Sequence, residues 1–132
     1  MGSLKRIQVV AAIFINERSE VFCARRKNYG DLALKWEFPG GKIEAGESHI
    51  EALEREIKEE LEVNISVTQF FMTVDHDYDR FSLQLHTYFC SLHTEDFYLS
   101  EHEECAWVHI SQLGNLDWAE ADLPIVNELM RI

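Results

Sequence analysis

The chain opens on a nearly continuous apolar run, Ile7 to Ile15 (IQVVAAIFI). A strand with one wet face would alternate, so this run reads as a strand buried on both faces. Asn16 to Glu20 is polar and reads as a turn, and Val21 to Ala24 returns as the second strand of a hairpin. Lys27 to Leu34 reads as a loop. Trp36-Glu37-Phe38 is a short strand stopped by Pro39-Gly40-Gly41. The spacing of apolar residues then becomes helical. Ile50, Leu53, Ile57 and Leu61 form one stripe, and Ser48-His49-Ile50-Glu51 fits a capping box at the helix start.

Two long strands follow, Ile65 to His76 and Phe81 to Leu92, joined by the polar Asp77-Tyr78-Asp79-Arg80. Cys105 to Ile110 is a further strand, and Ser111 to Leu116 is one helical turn. Leu123 to Arg131 closes the chain as a helix with Pro124 in its first turn. Strands alternating with helices in this way predict an α/β (α+β) fold, an α/β/α sandwich with a mixed β-sheet between helices.

A length of 132 residues suits a single domain over 1–132, and 46% hydrophobic content suits one core. No apolar run reaches the roughly 18 residues of a membrane span, and the start, MGSLKRIQ, lacks the apolar segment of a signal peptide. Cys23, Cys90 and Cys105 are odd in number and widely spaced, which reads as a reduced, cytoplasmic protein, with Cys23 and Cys90 in strand-like runs as core residues. The net charge of −12 disfavours a nucleic-acid polymer or an anionic membrane as partner. A small nucleotide would bind only where a cation and a few arginines reverse the local sign.

The chemistry gathers on the first helix. Arg55-Glu56-Ile57-Lys58-Glu59-Glu60 sets three carboxylates at i, i+3 and i+4 on one side. Glu60 and Glu56 stand about 65° and 105° from the centre of the apolar stripe, with Glu59 further round. Glu51, Arg55, Lys58 and Glu62 take the other flank with mixed signs. Carboxylates that close repel unless a cation sits among them, and oxygen ligands suit a hard ion, Mg²⁺ or Mn²⁺.

The stretch from Gly41 to Val63 resembles the Nudix box of the Nudix hydrolases. Gly41, Glu47, Arg55, Glu56, Ile57, Glu59, Glu60 and Val63 stand at the box spacing. The late glycine is replaced by Glu62, which costs about 1 kcal/mol in a left-handed helix end, or the helix ends differently. Similarity extends over most of the chain and is strongest to the MutT-like nucleoside triphosphate pyrophosphohydrolases. It includes Trp36 to Lys42, the basic pair Arg25-Arg26, Glu101 six residues before Trp107, and Ala121-Asp122-Leu123-Pro124. The last motif and Glu101-His102 look most like the members that cleave CTP and modified cytosine nucleotides, with 8-oxo-dGTP hydrolases next.

The resemblance implies Mg²⁺ (Mn²⁺ possible) held by Glu56, Glu59, Glu60 and the Gly40 carbonyl, with Glu101 as an outlying ligand. Glu47 and Arg55 would pair and orient those ligands. Glu59 and Glu101 are both candidates for the base that activates water, while Arg26 and Lys42 would face phosphate. The products would be a nucleoside monophosphate and pyrophosphate, from a monomer or homodimer.

Several residues carry a second reading. Glu101 lies in an acidic stretch, Glu95 to Glu104, and fits a solvent-facing charge. Asp122 is placed either to cap the last helix or to accept from a base amine. Phe38 serves equally as core or as a stacking surface, and Tyr78, between two aspartates, reads as exposed while still able to stack on a base. His102 and Cys105 have a zinc-compatible spacing with no second pair, so they read as solvent or core. The alternative functions are a Nudix hydrolase for ADP-ribose or a dinucleoside polyphosphate, and a nucleotide sensor without turnover.

Overall fold

A computed structural model describes residues 6–94, 98–99 and 101–132. The opening residues 1–5, and residues 95–97 and 100 of the acidic stretch, lie outside the described residues. The elements run β1 (Arg6–Ile13), β2 (Glu20–Arg26), β3 (Trp36–Glu37), β4 (Gly40–Lys42), α1 (His49–Leu61), β5 (Ile65–Asp77), β6 (Ser82–Leu92) and β7 (His102–His109). Two 3-10 turns, Ile110–Asn115 and Glu120–Asp122, lead into α2 (Leu123–Leu129).

The strands form two sheets. The first has the order β4-β1-β6-β5 and is mixed, because β1 pairs parallel to β6 and antiparallel to β4. The second, β3-β2-β7, is antiparallel. The continuous apolar run explains the layering. Val10, Ala12 and Phe14 join a core with Leu53, Ile57 and Leu61 of α1, while Ala11 and Ile13 join a second core with Ile125, Val126 and Leu129 of α2. β2 divides the same way, with Phe22 and Ala24 toward α1 and Val21 and Cys23 toward α2. Period-two alternation thus feeds both faces, and the helices cover them.

The edges of several elements move from where periodicity puts them. β2 continues to Arg26, and β7 starts at His102 rather than Cys105. Gly40 and Gly41, expected with Pro39 to stop a strand, instead begin the short strand Gly40–Lys42 against β1. A Cβ at Gly40 would collide with the Val10 carbonyl, so glycine is what lets these backbones approach.

In α1 both halves of the capping box form: Ser48 accepts from the Glu51 N–H, and Glu51 accepts from the Ser48 N–H. The apolar stripe is corrected at its first member, since Ile50 is 47% exposed. The buried positions are Ala52, Leu53, Ile57, Glu60 and Leu61. By helical-wheel arithmetic this turns the buried arc roughly 40° toward the carboxylate side. Glu60 is thereby brought inside the structure rather than left at its edge.

Candidate active site

Several segments converge on a cavity of about 450 Å³ between the sheets. β3, β4 and the connection between them contribute Glu37, Phe38, Gly40, Gly41 and Lys42, and α1 contributes Glu60. The ends of β2, β5 and β7 add Arg26, Tyr78, Glu101 and His102, and the 3-10 turn before α2 adds Asp122. Glu47, Arg55, Glu56 and Glu59 stand behind this wall, on the loop and helix that carry it.

Arg55 is the hub behind the wall. Its Nε donates to Glu47 Oε2 at 2.7 Å and its Nη2 to Glu47 Oε1 at 2.9 Å. Nη2 also donates to the Lys42 carbonyl at 3.0 Å. Nη1 reaches Glu56 Oε1 at 2.9 Å and Glu59 Oε2 at 3.3 Å. Arg55 therefore does not stay on the mixed-sign flank; it crosses to the carboxylate side and pairs there. The fork holds the Glu47 carboxyl well below its usual range, down to about 2, and these carboxylates in turn raise the guanidinium.

Glu60 has the opposite environment. It is 7% exposed, and burial followed by repulsion from Glu37, Glu56 and Glu101 pushes its carboxyl up to about 9, against a hydrogen bond from the Gly40 backbone. Glu56 is raised as well, first by burial, with Arg55 opposing. Its carboxylate lies over Gly41, where a Cβ would strike it.

Among the described residues, no three His, Cys, Asp or Glu side chains converge closely enough to hold a metal ion as they stand. Arg55 engages Glu56 and Glu59 instead. The donor chemistry nevertheless fits a hard divalent cation. Half-buried and buried carboxylates are crowded together at a cost that such an ion relieves, and all of the donors are oxygens.

The remaining residues fall as follows. Glu101 is exposed and at the cavity. Phe38 is 3% exposed and stacks on Trp118 at 4.7 Å between ring centroids, so it is core and cavity wall together. Tyr78 is half-buried rather than exposed; its hydroxyl accepts from the Ala121 N–H at 3.0 Å, and its ring packs on Phe81. Asp122 precedes α2 but makes no side-chain cap hydrogen bond. Burial, and then the Glu37 charge, raise its carboxyl well above the ordinary value, against a hydrogen bond from the Phe38 backbone and the Arg26 charge.

Glu37 and His102 meet in the cavity in a way the sequence does not assign them. Glu37 accepts from Arg26 Nη1 at 3.1 Å and pairs with His102 Nε2 at 2.9 Å. A carboxylate between two aromatic residues in an apolar strand was the available signal. His102, which stands in the Glu101-His102 resemblance and otherwise reads as solvent or core, is 5% exposed; the slip in register that brings it to Glu37 is invisible in composition.

A family model described as NUDIX domain matches residues 10–128. The chain is 32% identical to the CTP pyrophosphohydrolase of Escherichia coli (strain K12), over 98% of this chain and 95% of that protein. It is 28% identical to the 8-oxo-dGTP diphosphatase of the same organism, over 98% and 100%. Among solved structures it matches the DNA mismatch repair protein MutT, a Nudix hydrolase of methicillin-resistant Staphylococcus aureus 252, at 41% identity and a TM-score of 0.78, covering 98% of each chain. The chain belongs to the NUDIX domain family and is a Nudix hydrolase.

Proposed function

We propose that this Nudix hydrolase uses Mg²⁺, or Mn²⁺, to cut a nucleoside triphosphate to a monophosphate and pyrophosphate. CTP, dCTP or a modified cytosine nucleotide is the preferred substrate, ahead of 8-oxo-dGTP. The work would be sanitation of the nucleotide pool in the cytoplasm by one domain spanning residues 1–132. The observation that carries this reading is the polarity of the cavity. Glu60 of α1, with Glu56 and Glu59 behind it, Arg26 and Lys42 share this lining with the acceptor and aromatic side chains of Asp122, Phe38 and Tyr78. The similarity to a CTP pyrophosphohydrolase over nearly the whole chain supports the choice of base.

Glu56, Glu59 and Glu60, with the Gly40 carbonyl and Glu101, would hold the ion. When bound, the ion neutralises phosphate charge and acidifies water. Arg55 keeps the ligand-bearing helix and the Lys42–Glu47 loop in register through Glu47. Arg26 and Lys42 draw the phosphates into an otherwise acidic protein. Phe38 and Tyr78 form the apolar surface for the base, and Asp122 presents an oxygen to its edge. The proton of the attacking water goes to Glu59 or Glu101; Glu101 lines the cavity and Glu59 does not.

A substrate panel tests the assignment. The protein with Mg²⁺ meets CTP, dCTP, 5-methyl-dCTP, 8-oxo-dGTP, dGTP and ADP-ribose, with chromatographic product analysis. Highest kcat/KM on a cytosine triphosphate supports the reading. Cleavage of ADP-ribose alone refutes it.

A further inference from the structure

Antiparallel pairing of β2 and β7 slips by one residue between Arg25 and Arg26. Arg25 faces Glu104, but Arg26 faces His102, so Glu103 is the extra residue of a bulge. The slip decides which side chain meets the cavity. In regular pairing Glu103 would stand opposite Arg26, and His102 would point to the other face of the sheet. With the bulge, His102 and Arg26 share a face. Glu37, whose strand neighbour is Ala24, lies diagonally from Arg26 on that same face.

The three side chains then close a clamp. Arg26 donates to one oxygen of Glu37 and His102 to the other. The His102 side chain is 2% exposed, and its Nδ1 is buried without a hydrogen-bond partner among the described residues. Nε2 is the nitrogen that donates, because the carboxylate it faces only accepts. A carboxylate has about four acceptor sites. The clamp uses one on each oxygen, and the others remain for a donor in the cavity that Glu37 lines.

We propose that His102 is a positioning residue, turned inward by the bulge at Glu103 to fix Glu37 so that its open acceptor sites receive the exocyclic amine of the substrate's base. The inference rests on the nucleotide reading above, and it adds a second carboxylate and its support to the base-reading wall. It also gives a physical role to a buried histidine that neither holds a metal nor fills a core.

Binding by calorimetry tests this without turnover, so it stands apart from the assignment of activity. CMP carries the exocyclic amine and UMP lacks it. The unmodified protein is expected to prefer CMP. His102→Leu, checked for folding by its melting curve, should weaken CMP binding roughly tenfold and leave UMP binding unchanged. His102→Gln, which can place an amide N–H near the Nε2 position, should restore most of the preference. Three results would each overturn the proposal: an unchanged CMP preference in His102→Leu, an equal loss for both nucleotides, or no preference in the unmodified protein. If His102→Leu does not fold, His102→Asn and Glu37→Gln carry the test, each expected to lose the preference for CMP.

Discussion

Arg55 grips Glu47 with two parallel hydrogen bonds, at 2.7 and 2.9 Å, and so ties the loop before α1 to the middle of that helix. A lysine keeps the charge and loses the fork. Arg55→Lys is therefore expected to lower kcat/KM by about 10–100-fold while the far-ultraviolet circular dichroism stays native. Steady-state kinetics beside a melting curve checks this. Native activity in the variant would mean that the fork is a surface pair.

Gly41 faces the carboxylate of Glu56 with no room for a Cβ between them. Gly41→Ala should displace that carboxylate and reduce activity by at least tenfold, with a smaller effect on melting temperature. The paired measurement is kcat/KM and Tm on one preparation.

Glu62 ends α1 in the left-handed region, with φ +55°, and its N–H bonds the Lys58 carbonyl. A side chain there opposes the turn that glycine makes freely. Glu62→Gly is expected to stabilise the protein by about 1 kcal/mol, which raises Tm by a few degrees at this chain length. Denaturant melts at constant slope measure it.

Much of this architecture is written in the sequence, for identifiable reasons. The run Ile7 to Ile15 is apolar at every step because β1 serves two cores, and Ser48 and Glu51 mark the helix start by side-chain chemistry that acts locally. Glu62 likewise stands where its box position predicts a strained end. What was hidden depends on distant contacts. Ile50 has the spacing of a core residue but faces solvent. The resemblance implies that Arg55 pairs with Glu47, but its reach to Glu56, Glu59 and the Lys42 carbonyl is not visible on a helical wheel. Glu37 and His102 meet only through strand pairing and a one-residue slip, which no local pattern records.

Asp122 supplies a pH test. Its carboxyl is buried and raised above the ordinary value. A raised acid contributes stability fully below its unfolded pKa and loses that contribution as pH rises through its folded pKa. Asp122→Asn keeps an oxygen for the Phe38 N–H and cannot ionise. The variant and the parent should melt alike near pH 4, and the variant should melt higher at pH 8. An equal difference at both pH values would show that Asp122 is ionised at no cost.

The most direct test of the central claim is phosphorus NMR of CTP incubated with the protein and Mg²⁺. The expected result is growth of CMP and pyrophosphate in equal amounts, with no CDP, and no reaction when the metal is chelated. Release of orthophosphate with CDP, or hydrolysis that continues at full rate in chelator, would contradict the account.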